Sequence, residues 1–186
     1  MALAFSENIP LRVESPKKGW KPRTLSEVQA SDKEKVVRVY TDGVYDLFHP
    51  GHVQQLRQAK EAFPNVHLIV GVCTDEDTLK YKGCLPIMRT NERVEMVKQC
   101  KYVDEVMATP VFFPTVEFAN YLEIDLVAHD SLPYQVPDSD DCYAPFKALD
   151  RFLSTERTPN VSTTEILDRI LGELDNVKQR QILRNA

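Results

Sequence analysis

The segment VVRVYTDGVYDLFHPGH, residues 36–52, runs from an apolar stretch through a short loop into the start of a helix. A buried strand that leads directly into a helix points the first free N–H groups of that helix into one concavity, where anions bind. Pro50 is typical of a first helical turn, and Gly51 leaves the backbone open to a phosphate. The segment therefore predicts an α/β fold with a phosphate site after its first strand.

Two histidines frame this glycine. His49 and His52 are three residues apart, so a helix that begins at Pro50 or Gly51 brings their rings together on one side of its first turn. In phosphoryl or nucleotidyl transfer, negative charge moves onto the non-bridging oxygens and the leaving group, and imidazole N–H groups can stabilise it. Half of a metal site is the alternative, but the remaining histidines fall in predicted strands and the cysteines lack C-x-x-C spacing. No metal site is therefore predicted.

Apolar strands alternate with amphipathic helices along the rest of the chain, which predicts a Rossmann-like, doubly wound parallel sheet of five strands. Ligands of such sheets bind beyond the carboxyl ends of the strands. No G-x-G-x-x-G follows the first strand, so a dinucleotide enzyme is not predicted. The strands are expected at residues 36–41, 67–73, 105–108, 126–129 and 151–154, and the helices at 51–62, 90–100, 115–121, 143–149 and 163–174.

Composition limits the possible functions. The 186 residues, 42% of them hydrophobic, suit one domain, expected at residues 35–176 between an extended arm (1–34) and a tail (177–186). The net charge of −5 argues against nucleic acid as a partner. Four cysteines without a pattern indicate reduced thiols and a cytoplasmic or nuclear compartment. Neither a signal peptide nor a spanning segment is predicted, so membrane association is not expected from this chain.

A series of short motifs follows the YTDGVYDLFH segment (residues 40–49) in one order along the chain. They are LIVGVCTDE (68–76), YKG (81–83), NER (91–93), KYVDEV (101–106), AHDSLPY (128–134) and RTPNVSTTE (157–165). Taken together, these motifs resemble the cytidylyltransferase family, and more closely its choline-phosphate branch, from about Val37 to about Ile170.

The resemblance implies an enzyme of the nucleotidyltransferase type that makes CDP-choline and pyrophosphate from CTP and phosphocholine, in phosphatidylcholine synthesis. His49 and His52 then stabilise the transition state at the α-phosphate. Lys82, expected on the loop before Gly83, is the family's catalytic lysine, and Arg157 neutralises phosphate charge. Mg²⁺ is expected as the cofactor, held mainly by the CTP phosphates.

Nucleotide contacts are expected from the loop after the first strand and from the start of the last helix. The residues concerned are Gly43, Val44, Tyr45, Gly51, His129, Thr158, Ser162 and Thr163. Asn160 stands where the family signature has a glycine. Asparagine tolerates a left-handed backbone better than most residues, so the turn is expected to persist.

A quaternary ammonium is recognised by aromatic faces and a carboxylate, because it neither donates nor accepts a hydrogen bond. Asp130 and Tyr134 supply one of each. Relatives of the choline-phosphate branch add a tryptophan from the loop after the third strand, where this chain has Phe112 and Phe113. A phenylalanine attracts a cation less strongly than tryptophan does. Phosphoethanolamine is therefore the alternative acceptor.

Two more distant alternative functions are adenylyl transfer and a nucleotide-binding module without catalysis.

The resemblance also implies a homodimer that forms through Lys101–Val106, although Lys101 replaces the family's usual arginine. Asp42 and Asp46 are expected to cap the turns of the first loop rather than to bind metal.

Overall fold

The computed structural model describes residues 19–135 and 140–185, which form a five-stranded, all-parallel sheet with helices on both faces. The strand order is β3-β2-β1-β4-β5. The strands are β1 (Val37–Gly43), β2 (Val66–Cys73), β3 (Glu105–Thr109), β4 (Leu126–Asp130) and β5 (Phe152–Thr155). The helices are α1 (Leu25–Ala30), α2 (Pro50–Glu61), α3 (Asp75–Lys82), α4 (Thr90–Lys98), α5 (Val116–Tyr121), α6 (Ala144–Ala148), α7 (Thr163–Gly172) and α8 (Leu174–Asn185).

Side chains alternate between the two faces of each central strand. Val39 of β1 packs into a core formed with α2 and α4, which includes Leu56 and Val97. Its neighbour Tyr40 points to the other face, where Phe146 of α6 is buried. Because both faces of the strands are covered, their apolar runs are continuous. The predicted doubly wound sheet is confirmed.

The predicted strands and helices agree with the observed ones to within about two residues, with three exceptions. Residues 25–30 form helix α1 within the segment expected to be an extended arm, because Thr24 and Glu27 close a capping box there. Residues 1–18 of that arm lie outside the described part of the chain. Helix α8 occupies most of the expected tail and follows α7 after a break at Glu173.

The third exception is α3, since Lys82 was expected on a loop. Thr74 caps this helix by accepting a hydrogen bond from the N–H of Asp77 at 3.1 Å, and three acidic residues fill the first turn. Gly83 ends it in the left-handed conformation, with φ of 77°. Lys82 therefore sits at the carboxyl end of a helix. The expected loop position is wrong, although the lysine still reaches the cavity described next.

Candidate active site

A cavity of about 490 Å³ opens at the carboxyl ends of the strands. Its walls come from the loop after β1, the start of α2, the end of α3, the loops after β3, β4 and β5, and the start of α7. Every site residue predicted from the sequence contributes to these walls: Gly43, Val44, Tyr45, His49, Gly51, His52, Lys82, Phe112, Phe113, His129, Asp130, Tyr134, Arg157, Thr158, Ser162 and Thr163. Segments that are distant in sequence thus converge at one edge of the sheet.

The histidine pair forms part of the cap of α2. His49 is the N-cap residue, and its Nδ1 accepts the N–H of Gly51 at 3.1 Å. The Nδ1 of His52 accepts the N–H of His49 at 3.4 Å. Because each Nδ1 is an acceptor, the hydrogen-bond network assigns the proton of each neutral ring to Nε2. The pair is therefore arranged as two N–H donors.

Burial keeps these rings neutral. It lowers the pKa of His49, against a smaller opposing effect from the charge of Glu165. Burial also lowers the pKa of His52 to about 3, helped by the charges of His49 and Lys82. Both imidazoles are thus neutral hydrogen-bond donors near pH 7, rather than cations.

Gly51 lies in a closely packed position. A Cβ atom at this position would lie 3.0 Å from the His49 ring and 3.1 Å from Cγ1 of Val161. The absence of a side chain lets the loop before α7 approach α2. Pro50 has no N–H and the N–H of Gly51 is bonded to His49, so phosphate binding by this backbone stays a prediction.

The loop between β1 and α2 is held in place by Asp46. Its carboxylate accepts the N–H groups of Ile87 and Met88, each at 2.8 Å, and its backbone carbonyl accepts the hydroxyl of Thr163 at 3.1 Å. Asp46 thus joins three walls of the cavity, which agrees with its expected structural role.

Arg93 was not predicted as part of the site, yet it connects the loop after β1 with the end of β2, the start of α3 and the loop before α4. Its guanidinium is fully buried and donates to the carbonyl oxygens of Val44, Cys73 and Met88. It also pairs with Asp75 at 2.6 Å. The NER segment at residues 91–93 is the signal that marks it, but its partners are distant in sequence.

One side of the cavity carries two cations, Lys82 and Arg157, and the start of α7. Lys82 lies on the cavity wall, whereas the ammonium of its neighbour Lys80 lies over the Tyr81 ring, 4.7 Å from its centroid. The N-cap of α7 is Ser162, whose hydroxyl accepts the N–H of Glu165 at 3.1 Å. Asn160 adopts φ of 58° in the loop before this helix, so the turn predicted there is confirmed.

The opposite side of the cavity is lined by aromatic rings and two carboxylates. The His129 ring stacks on Tyr143, with centroids 4.7 Å apart, and meets the edge of Tyr134 at 4.8 Å. Phe112 and Phe113 lie perpendicular to each other, 4.9 Å apart. This wall offers several aromatic faces to a ligand.

The carboxylates differ in their surroundings. Asp130 lies near one cation, with Oδ2 4.0 Å from Nε of Arg157. The same oxygen is 3.7 Å from Nδ1 of His129, whose pKa is lowered by burial. Asp42 is buried and accepts the hydroxyl of Tyr143 at 3.1 Å. Burial raises the pKa of Asp42 to about 7, against the opposing hydrogen bond. Asp42 was expected to cap a turn, and this is wrong because β1 extends to Gly43 and turns the carboxyl into the cavity wall.

Two buried polar atoms at the cavity have no hydrogen-bond partner among the described residues: Nδ1 of His129 and the hydroxyl of Thr155. Thr155 ends β5 and is 3% exposed. Buried polar groups are normally paired, so unpaired ones on a cavity wall are available to a ligand.

No group of three or more His, Cys, Asp or Glu side chains is arranged to hold a metal ion in residues 19–135 and 140–185. Within the same ranges, the helices are too short or too polar to cross a membrane.

Comparison with known proteins shows which family this chain resembles. A family model described as cytidylyltransferase-like matches residues 40–169. A probable choline-phosphate cytidylyltransferase from Schizosaccharomyces pombe is 48% identical over 150 residues, covering 81% of this chain and 41% of that protein. The choline-phosphate cytidylyltransferase of Saccharomyces cerevisiae is 46% identical over 153 residues, covering 82% of this chain and 36% of that protein. The chain thus spans about two fifths of the length of these relatives.

More distant matches support the same family and the same fold. An ethanolamine-phosphate cytidylyltransferase of Arabidopsis thaliana is 40% identical over 143 residues, covering 75% of this chain and 33% of that protein. Among solved structures, the lipopolysaccharide core biosynthesis protein from Thermoplasma volcanium aligns with a TM-score of 0.51 at 21% identity. That alignment covers 66% of this chain and 98% of the other, and it supports the fold alone.

Proposed function

The chain belongs to the cytidylyltransferase-like family, and we propose that it joins CTP and phosphocholine into CDP-choline and pyrophosphate. One observation carries the proposal: the stacked His49–His52 pair shares a cavity with two cations and an aromatic wall that includes a buried carboxylate. The histidines and the two cations suit the phosphates of a nucleotide. The aromatic rings and the carboxylate suit a small organic cation.

The reaction is a single in-line displacement. A phosphate oxygen of phosphocholine attacks the α-phosphorus of CTP, a new P–O bond forms, and the bond from that phosphorus to the bridging oxygen breaks to release pyrophosphate. His49 and His52 donate from Nε2 to the α-phosphate and to the leaving oxygen as charge develops there. No proton leaves either ring, since both act as neutral donors.

Charge neutralisation comes from opposite walls. Lys82 approaches the phosphates from the end of α3, and Arg157 approaches from the loop after β5. The free N–H groups at the start of α7 add further donors. Mg²⁺ is assigned to the phosphate oxygens of CTP, which it prefers, because both oxygens of nearby Asp46 already accept backbone N–H groups. When bound, this ion neutralises charge shared between the phosphates.

The acceptor's trimethylammonium group is assigned to the aromatic side of the cavity. Tyr134, Tyr143 and the Phe112–Phe113 pair supply the rings, and Asp42 supplies the carboxylate. Asp130, predicted for this role, remains a second candidate, but it lies 4.0 Å from Arg157, which is assigned to the phosphates. Among the described residues, no lysine or arginine contacts the Asp42 carboxylate directly. Asp42 is therefore the better counter-ion for the trimethylammonium group.

Phosphoethanolamine is the second candidate acceptor. The phenylalanines in the loop after β3 favour it, because they attract a quaternary amine less strongly than a tryptophan would. The sequence comparisons favour phosphocholine, because the chain is 48% identical to a choline-phosphate enzyme and 40% identical to an ethanolamine-phosphate enzyme.

The test is pyrophosphate release by the purified chain with Mg²⁺, in which CTP and ATP are each combined with phosphocholine, phosphoethanolamine and glycerol 3-phosphate. Turnover with CTP and phosphocholine alone supports the proposal. A preference for ethanolamine keeps the mechanism and contradicts the assigned cation site. Turnover with ATP favours adenylyl transfer, and CTP binding without turnover favours the binding-module alternative.

One further assignment follows from the family resemblance. We propose a homodimer that forms through Lys101–Val106, where Lys101 is exposed and Tyr102 is half-buried in the turn before β3. Sedimentation equilibrium of the chain and of Tyr102→Glu tests it, since an introduced charge should dissociate the dimer.

We also propose a cytoplasmic or nuclear location. The four cysteines are all free thiols, which supports it.

A further inference from the structure

Gln58 lies on α2, on the same helix as the histidine pair, but it does not line the cavity. Its side-chain amide makes two hydrogen bonds to one residue of the chain. The Nε2 group donates to the carbonyl oxygen of Glu156 at 2.9 Å, and the N–H of Glu156 donates to Oε1 at 2.8 Å. A side chain thus acts as a strand partner for Glu156, 98 residues away.

The position of Glu156 gives this contact its importance. Glu156 directly follows β5, whose ladder pairs with β4 as far as Thr155 opposite Asp130. It stands between Thr155, whose buried hydroxyl is unpaired among the described residues, and Arg157. Both neighbours lie on the cavity wall. A displacement of Glu156 would therefore move Arg157, which is assigned to the CTP phosphates, and the Thr155 hydroxyl on the cavity wall.

Gln58 is itself well anchored. Leu56 and Ala59, on either side of it, are fully buried against the sheet and fix the rotation of α2. The same helix presents His49 and His52 from its first turn. A rigid helix thus sets the distance between the histidine pair and the loop that carries Arg157.

We propose that Gln58 is a positioning residue that holds the Thr155–Arg157 segment in register with the histidine pair for CTP binding. The inference rests on the proposed function, because the cavity is taken to bind CTP. Gln58 touches no reacting atom, and its effect passes through the Glu156 backbone. Weakening the clamp raises the cost of ordering this segment around the nucleotide, while the acceptor side of the cavity is unchanged.

The test variant is Gln58→Met, which keeps the length of the side chain and removes both hydrogen bonds. Gln54→Met is the matched control, since Gln54 is an exposed glutamine one turn earlier on α2. CTP is titrated calorimetrically into each protein, steady-state kinetics are measured with both substrates, and amide hydrogen exchange is followed in peptides that cover residues 152–162.

The clamp predicts that Gln58→Met raises the Kd and the KM for CTP about tenfold, as expected for two lost hydrogen bonds. Its kcat and its KM for phosphocholine should stay within about twofold of the parent values. Exchange should accelerate in residues 152–162, and Gln54→Met should match the parent in every measurement.

Unchanged CTP affinity in Gln58→Met overturns the inference. So does a joint loss of Tm, kcat and affinity for both substrates, because that pattern indicates a general stabilising role. A parent chain that binds CTP without turning over contradicts the proposed function instead, and the calorimetric comparison then still decides the role of Gln58. A parent chain that binds no CTP overturns both.

Discussion

The imidazole rings of His49 and His52 lie stacked, with centroids 3.7 Å apart and an interplanar angle of 21°. Two imidazolium cations at this distance would repel each other, so the arrangement fits two neutral rings. Each Nδ1 is engaged by a backbone N–H, which turns each Nε2–H outward as a donor. The cap of α2 thus sets the tautomer of both rings.

Loss of either ring should reduce catalysis without unfolding the chain. His49→Ala and His52→Ala are each expected to lower kcat by about a hundredfold or more, since each removes a donor to the developing charge. His67→Ala is the control, because His67 lies near the start of β2 beside Glu105, away from the cavity walls. Near-normal kcat in either cavity variant, with the circular dichroism of the parent, would refute the assigned roles.

Protonation of the pair should not limit activity near neutrality. The pKa of each histidine is lowered, so both rings stay neutral as the pH falls from about 8 to about 7. The kcat/KM for CTP should therefore be flat across this range. Carbon chemical shifts of the two imidazoles, followed by NMR in the absence of ligand, check the cause directly. A titration step near pH 7 in either ring would contradict the neutral-donor assignment.

Asp42 should control the pH dependence of the acceptor. Its raised pKa of about 7 means that the carboxyl gains a proton as the pH falls through neutrality and loses its attraction for a cation. The kcat/KM for phosphocholine should fall below about pH 7, and Asp42→Asn should lower it and remove that pH-dependent limb. The ionisation of phosphocholine itself persists in the variant, so its contribution can be subtracted.

The same residue should cost stability. Because folding raises the pKa of Asp42, the native state holds a proton that the unfolded chain releases between about pH 4 and pH 7, and stability falls as the pH rises through this window. Asp42→Asn removes the buried charge and should raise the free energy of unfolding at pH 8 by about 2 to 4 kcal/mol. Urea denaturation at pH 5 and pH 8 measures it. An equal effect at both values would exclude ionisation as the cause.

Lys82 should act through charge rather than through its helix. Lys82→Ala is expected to lower kcat by about a hundredfold, because a cation facing the phosphates is lost. Lys80→Ala, two residues earlier on α3, removes an ammonium that lies over the Tyr81 ring and should change kcat less than about threefold. Steady-state kinetics of the two variants compare them. Equal losses would indicate that the end of α3, rather than Lys82, matters.

Much of the fold follows from local pattern. The apolar runs of β1 and β2 and the Pro50–Gly51 helix start are signals within a few adjacent residues, and both appear where expected. Helix α3 escaped prediction because Asp75–Lys82 is mostly polar, with Thr78 as its one buried residue. Its caps, Thr74 and Gly83, were the available signals.

The site, like the fold, could be predicted only where the signal is local in sequence. His49 and His52 carry a spacing that points to their chemistry, as the aromatic and carboxyl groups of residues 130–134 also do. The Asp42–Tyr143 pair carries none, since 101 residues separate the two partners and only the sheet brings them together. Gln58 and Arg93 were missed because most of their partners are backbone atoms, which leave no mark in a sequence.

Arg93 has a consequence for how the protein reaches its native state. Its guanidinium is fully hydrated in the unfolded chain, and burial costs free energy until its acceptors are present. Those acceptors belong to the loop after β1, the end of β2, the start of α3 and the loop before α4. A half-assembled arrangement leaves a desolvated cation without partners, so intermediates of that kind are depleted. The segments that Arg93 joins should thus assemble in one cooperative step of folding rather than one after another.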